Sequence, residues 1–201
     1  MSYTYEQMAR RINGRSDMSI YLTHLTRRTD TQSEVDTLLQ IIKEQVIRGS
    51  NGSGYIIGED RAACFQDAPL HGISQNIIHE NQYRKELGSK LRYDACGVSF
   101  SKQYVYLLGG RPCVYEKKEV AKKILPPEEW WRIVNFDMSD PLNIVDWTHE
   151  REWRVKGDFI FHHGYATVLL PHNSQYREFI DKVDKETLKA LQGLVVLSRT
   201  I

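Results

Sequence analysis

No stretch of this sequence approaches the ~20 consecutive apolar residues that cross a bilayer. The opening Met1-Ser-Tyr-Thr-Tyr-Glu-Gln-Met-Ala-Arg-Arg11 also lacks the apolar centre of a signal peptide. A cytoplasmic location with no membrane partner is therefore expected. Cysteine is scarce: Cys64, Cys96 and Cys113 are odd in number and widely spaced, which fits neither a disulfide framework nor a paired-cysteine zinc site. Cys64 and Cys96 lie in apolar, strand-like runs, where an inert core thiol is expected. His149, His162, His163 and His172 crowd one stretch without the His-x-x-x-His or Glu-x-x-His spacing of a helix-borne metal site, so no metal is expected. The Gly-x-Ser-x-Gly elbow of a serine hydrolase and the Gly-Lys-Ser/Thr of a phosphate loop are both missing. An excess of one charge is missing too: 27 Lys and Arg against 26 Asp and Glu argue against an overall basic coat, while leaving room for a local basic groove.

What the chain has is an ordinary globular composition, 41% hydrophobic and 26% charged over 201 residues. That suffices for one substantial core and is short for two ordinary domains. A single α+β domain over residues 1–201 is expected, with a mainly antiparallel or mixed β core and flanking helices. Thr4 to Ile12 reads as a short polar helix, and Met18 to Thr26 as a strand with His24 on the face of Ile20 and Leu22. Ser33 caps a helix predicted to run through Arg48, since Val35, Leu38, Leu39, Ile42, Val46 and Ile47 recur at helical spacing. Gly49 to Gly54 reads as a mobile loop, because six Gly, Ser and Asn residues have little to bury. Arg61 to Phe65, Cys96 to Ser101, Gln103 to Leu108, Glu150 to Val155, Tyr165 to Leu170 and Leu194 to Ser198 are strand candidates. Helices are predicted near 73–84, 116–125, 174–183 and 186–191.

Glu150-Arg-Glu-Trp-Arg-Val155 carries the most chemistry. On a strand, Glu150, Glu152 and Arg154 share one face, with the two carboxylates ~7 Å apart. Such a pair can divide labour, one carboxylate stabilising a cationic sugar while the other prepares the attacking group. The structural alternative is a solvent-facing strand with cross-strand Glu–Arg ion pairs. Near the end of the early strand, Thr23, Thr26, Arg27 and Arg28 offer hydroxyl and cationic contacts beside His24; the alternatives are a hydrogen-bonded core residue for His24 and a solvated turn for Arg27 and Arg28.

Three stretches taken together carry a resemblance. They are Tyr21-Leu-Thr-His-Leu-Thr26; Ala62-Ala-Cys-Phe-Gln-Asp-Ala-Pro-Leu70 through Gly97-Val-Ser-Phe-Ser-Lys102 and Gly109-Gly-Arg-Pro112; and Glu150-Arg-Glu-Trp-Arg154. From about Tyr21 to Val155 the chain resembles a family of bacterial abortive-infection proteins tied to phage defence and toxin–antitoxin systems. More distantly, an early strand with His, a middle strand opening a loop and a late strand with Glu-x-Glu are similar to ADP-ribosyltransferases, including DarT-type toxins that modify nucleic acid. This second likeness implies an ADP-ribosyltransferase-like fold with NAD as donor, an RNA or DNA acceptor and a cognate antitoxin partner. It implies that His24 holds the nicotinamide-side ribose; the neighbouring Thr23, Thr26, Arg27 and Arg28 are then the expected cofactor contacts. Glu152 then stabilises the oxocarbenium as nicotinamide leaves, and Glu150 prepares the acceptor. DarT-type enzymes carry an arginine after an aromatic pair in the middle strand. Here Gln66 and Asp67 stand instead, as substrate contacts or, for Asp67, as a turn stabiliser. Arg27, Arg28 and Arg61 are the cations available for the pyrophosphate. The rival expectations are a non-catalytic antitoxin or interaction protein, and an NAD glycohydrolase.

Overall fold

The computed structural model describes residues 2–28, 31–51, 55–83 and 96–199. In chain order the first elements are α1 (Tyr5–Asn13), β1 (Tyr21–Leu25), α2 (Glu34–Glu44), β2 (Val46–Ile47), β3 (Ala62–Gln66), α3 (Leu70–Gln82), β4 (Gly97–Ser101), α4 (Lys102–Leu107), β5 (Arg111–Pro112) and β6 (Val114–Glu116). Then come α5 (Lys118–Ile124), β7 (Ile133–Asn135), β8 (Glu152–Lys156), β9 (Phe159–Ile160), β10 (Thr167–Leu170), α6 (Asn173–Lys182), α7 (Lys185–Ala190) and β11 (Gly193–Val196). The class is α+β, with mostly antiparallel strands flanked by helices. The chain gathers into two compact units drawn from separated stretches: 1–45, 68–102 and 161–201 form one, and 46–67 with 103–160 form the other.

In the first unit β1 pairs antiparallel with β4, β4 antiparallel with β10, and β10 parallel with β11. Leu22, Val98, Phe100, Val168 and Leu170 are fully buried on these strands, and Val35, Leu38 and Ile42 bury the apolar stripe of α2. Phe100 meets Phe161 edge to face at 4.9 Å. The helix starts follow from local chemistry. Thr4 and Gln7 form a reciprocal capping box at α1, Ser33 accepts from the Asp36 N–H at α2, and Asp184 accepts from the Thr187 N–H at α7.

In the second unit β3 and β5 flank β8, both antiparallel to it, with Cys64 opposite Arg154 and Gln66 opposite Glu152. β2 pairs with β9, and β6 runs parallel to β7. Phe159 meets Phe65 at 5.1 Å and Tyr104 at 6.2 Å, both edge to face.

Several expectations are corrected. The helix predicted through Arg48 ends at Glu44, because Gln45 turns left-handed (φ 54°) and the β-branched Val46 and Ile47 leave it to pair with Ile160 and Phe159. The predicted strand Gln103 to Leu108 is the helix α4. A short apolar run fits either period, and here only Val105 of that helix is buried. Gly110 closes the helix by donating its N–H to the Val105 carbonyl at 2.8 Å. Trp130 to Phe136, whose apolar pattern fits either period, divides between a 3-10 turn, Pro127–Arg132, and β7. Of the expected mobile loop, Gly49 donates to Asp158 Oδ1 at 2.8 Å and Ser50 pairs with Ala62, so this end is anchored. Residues 52–54 lie outside the described residues.

Gly97 is required where it stands. A Cβ there would lie 2.5 Å from the His24 carbonyl oxygen and 3.1 Å from Leu25 Cδ2. Gly97→Ala is therefore expected to destabilise the chain by about 1–3 kcal/mol through overpacking. Urea denaturation measures this, and an unmoved midpoint would show that β4 does not approach β1 as described.

Candidate functional site

β8 begins at Glu152, and the next residue on the same face is Arg154. Burial leaves Glu152 8% and Arg154 1% exposed, so neither charge has bulk water to solvate it. They solvate each other: Arg154 Nε donates to Glu152 Oε1 at 2.8 Å and Nη2 to Oε2 at 3.0 Å, the bidentate fork that suits a guanidinium to a carboxylate. Arg154 Nη1 donates to the carbonyls of Trp131 at 2.8 Å and Ile133 at 3.0 Å, and Nη2 reaches the Tyr55 carbonyl at 3.5 Å. Burial works to lower the Arg154 pKa, but the Glu152 charge and hydrogen bonds raise it on balance, so the guanidinium stays charged. The alternative of a solvent-facing strand with cross-strand ion pairs is thus corrected to a buried pair within one strand.

Around the pair stand groups that are themselves buried. Gln66, 7% exposed, lies opposite Glu152 in the ladder, so both point to the same side of the sheet. Its Oε1 has no hydrogen-bond partner among the described residues, and neither does Nε1 of Trp131. The Glu152 N–H donates to Tyr115 Oη at 2.5 Å, and the Cys113 N–H donates to the Glu152 carbonyl at 2.9 Å. Burial, then the Glu152 charge, pushes both the Cys64 and Cys113 thiols well above their ordinary range. Burial likewise raises the Tyr115 phenol. These thiols are neutral and poor nucleophiles at neutral pH.

Glu150 is placed differently from the strand reading. It closes a 3-10 turn, Thr148–Glu150, and Arg151 follows in the left-handed region (φ 46°, ψ 52°), so the alternation that would align Glu150 with Glu152 is broken. The Asp67 N–H donates to the Glu150 and Arg151 carbonyls, at 3.3 Å each, which pins this turn to the end of β3. Asp67 therefore serves the turn through its backbone. Asp146 organises the approach to it, its Oδ1 accepting from the Thr148 N–H at 2.8 Å and hydroxyl at 2.6 Å.

The other expected site residues belong to the first unit. His24 is half-buried on β1, opposite Val98. Thr23 is buried with its hydroxyl 2.5 Å from that of Ser99. The Thr26 hydroxyl lies 3.1 Å from the Cys96 carbonyl and 3.2 Å from that of Glu34. Arg27 and Arg28 are exposed, Arg28 standing 3.8 Å from the Glu34 carboxylate. Arg61, in the second unit, pairs with Asp158.

No protein-family model matches this chain, and no curated protein or solved structure does either.

Among the described residues no helix is long and apolar enough to cross a membrane, and no three His, Cys, Asp or Glu side chains are grouped to hold a metal. The sequence reading missed the roles of Arg154, Tyr115 and Trp131. The i, i+2 spacing of Glu152 and Arg154 carried a signal for the first. Nothing local points Tyr115 or the Trp131 carbonyl at β8.

Removing one partner of a buried pair strands the other charge. Arg154→Met is expected to cost about 3–5 kcal/mol of stability. Glu152→Gln, which keeps an acceptor for the guanidinium, is expected to cost less; thermal denaturation of both variants checks the order. The thiols give a pH dependence of definite sign. Because their folded pKa values lie above the ordinary ~8.5, the stability they contribute is complete below that value. It is lost as pH rises toward the folded values. The urea midpoint should therefore fall at alkaline pH, and fall less in Cys64→Ala/Cys113→Ala; equal falls would contradict the assignment.

Proposed function

We propose that this chain is an NAD-dependent ADP-ribosyltransferase that moves ADP-ribose onto nucleic acid, acting as the toxin of a phage-defence pair with a cognate antitoxin. The observation that carries the reading is a buried carboxylate fixed in orientation beside an unsatisfied buried acceptor: Glu152, clamped by Arg154, with Gln66 Oε1 opposite in the ladder. A carboxylate offers about four acceptor positions; the fork of Arg154 uses two and the Cys64 thiol shares a third, which leaves about one to face a substrate. A carboxylate that need not reorganise is what stabilises an oxocarbenium ion as nicotinamide departs. Gln66 Oε1 supplies an acceptor for a substrate N–H or O–H. Glu150, on a separately pinned turn, is the residue assigned to the acceptor step. His24 is assigned to the ribose by resemblance alone, and the hydroxyls of Thr23 and Thr26 serve the strand.

The complete pairing of Arg154 favours a second reading, a non-catalytic interaction protein in which Glu152 is only a structural counter-charge. Incubation with labelled NAD and DNA, RNA or lysate separates the two. The transferase releases nicotinamide and labels a nucleic-acid fraction. Release without label makes water the acceptor, and no release supports the interaction protein. Glu152→Gln should lower transfer by about 10²-fold or more in a chain that still melts cooperatively. Glu150→Gln should lower transfer more than release into water. Gln66→Leu, which satisfies the site by removing its polarity, provides a folded control in which NAD turnover should also fall.

A further inference from the structure

Two buried side chains of the second unit carry a polar atom without a partner among the described residues: Gln66, 7% exposed, at Oε1, and Trp131, 4% exposed, at Nε1. Such atoms are rare in a native fold, because each has given up its water for nothing. Both lie over one face of β3. Ala62, Cys64 and Gln66 alternate onto the side of the sheet that carries Glu152 and Arg154. Trp131 packs with Ile56 and Ala62, Cys64 lies against the same cluster, and the Trp131 carbonyl accepts from Arg154 Nη1 at 2.8 Å. The indole therefore covers the Ala62–Cys64 part of the face, and Gln66 comes next along it.

What can satisfy both atoms is limited by their chemistry. Gln66 Oε1 only accepts and the indole N–H only donates. An ionised carboxylate has no hydrogen to give Gln66, and an ammonium or guanidinium has no lone pair to take the indole hydrogen. The adjacent Glu152 and Arg154 already neutralise each other through their fork, so they leave no net charge to compensate a buried ion. A neutral group that both donates and accepts is required. Alternate residues of a strand stand ~7 Å apart, and the indole and Gln66 are separated along the face by Cys64. Donor and acceptor on different atoms, as in an amide, suit that separation better than a single hydroxyl.

We propose that Gln66 and Trp131 bind the neutral amide group of a ligand, its N–H donating to Gln66 Oε1 and its carbonyl accepting from Trp131 Nε1. The proposal rests on the site described above, to which Gln66 belongs, and states the chemistry that site recognises. Under the transferase reading such a group has two sources, the carboxamide of nicotinamide and the N–H and carbonyl edge of a base such as uracil. A site built to hydrogen-bond a polar group rejects analogues that lack it.

The indole itself is the reporter. The chain has four tryptophans, and in the nitrogen-15-labelled protein the indole N–H resonance missing from Trp131→Phe belongs to Trp131. If that variant does not fold, Trp130→Phe, Trp147→Phe and Trp153→Phe assign it by elimination. Nicotinamide and uridine are titrated against their counterparts without the N–H, nicotinate and 3-methyluridine. At least one amide should move the Trp131 resonance downfield to saturation, nicotinamide marking the first source and uridine the second. Its counterpart should bind at least about tenfold more weakly. Gln66→Leu should weaken the amide about tenfold in a chain that still melts cooperatively. A resonance that neither amide moves leaves the two atoms to an internal water and overturns the proposal. So does a counterpart that binds equally well, or Gln66→Leu binding the amide as tightly as the unaltered chain. Amide binding without nicotinamide release from NAD keeps this site and removes the transferase; NAD cleavage with an unmoved Trp131 resonance does the reverse.

Discussion

The second unit is organised around one buried ion pair. Arg154 spends its donors on the Glu152 carboxylate and on the carbonyls of Trp131 and Ile133, so a single side chain joins the start of β8 to the 3-10 turn Pro127–Arg132 and to β7. Taking two charges out of water costs several kcal/mol per ion unless geometry and extra hydrogen bonds offset it. Both conditions are met here, in the bidentate fork and in the carbonyl acceptors. The same pair sets the electrostatics of its neighbours. Cys64 faces Arg154 across the ladder and Cys113 hydrogen-bonds the Glu152 backbone, and each thiol is held protonated by burial and then by the Glu152 charge.

This arrangement explains why Glu150 and Glu152 are not equivalent. Glu152 lies within the ladder and inherits its rigidity. Glu150 lies one left-handed residue away, on a turn held by the Asp67 N–H and by Asp146. A non-glycine residue with positive φ is uncommon and costs of order 1 kcal/mol, and Arg151 accepts that conformation where the two carboxylates part. For the proposed reaction the separation is useful: a fixed carboxylate suits a charge that develops at a defined atom, and a turn residue outside the ladder suits an acceptor that must enter and leave.

How much of this was legible in the sequence depends on the range of the interaction concerned. Thr4, Ser33 and Asp184 cap helices that begin within a residue or two of expectation, because a cap is a contact between residues three apart. β1, β4 and β10 also fall inside their predicted runs, and β3 passes the end of its run by Gln66. The failures are of two kinds. At Val46, Ile47 and Gln103 to Leu108 the apolar residues fit both helix and strand, and pairing with β9 or closure by Gly110 decided between them. At Glu150 the alternating pattern was real, but a left-handed Arg151 interrupted it, and no residue type there announces a positive φ as glycine would. The polar surroundings of Glu152 were visible only in Arg154, two residues away. Tyr115, Trp131 and the unsatisfied Gln66 oxygen come from chain segments that only the folded state brings to one face.

The central claim is that Glu152 has a chemical task beyond neutralising Arg154. Replacing both members with apolar residues of similar volume separates the roles, since a buried pair removed as a unit is often neutral or stabilising, whereas breaking it is costly. In Glu152→Met/Arg154→Met, thermal melting and nicotinamide release from NAD are measured on the same preparation. The account predicts a cooperatively folded chain that recovers most of the stability lost in Arg154→Met and releases no nicotinamide above background. A folded double variant that cleaves NAD as fast as the unaltered chain would contradict it.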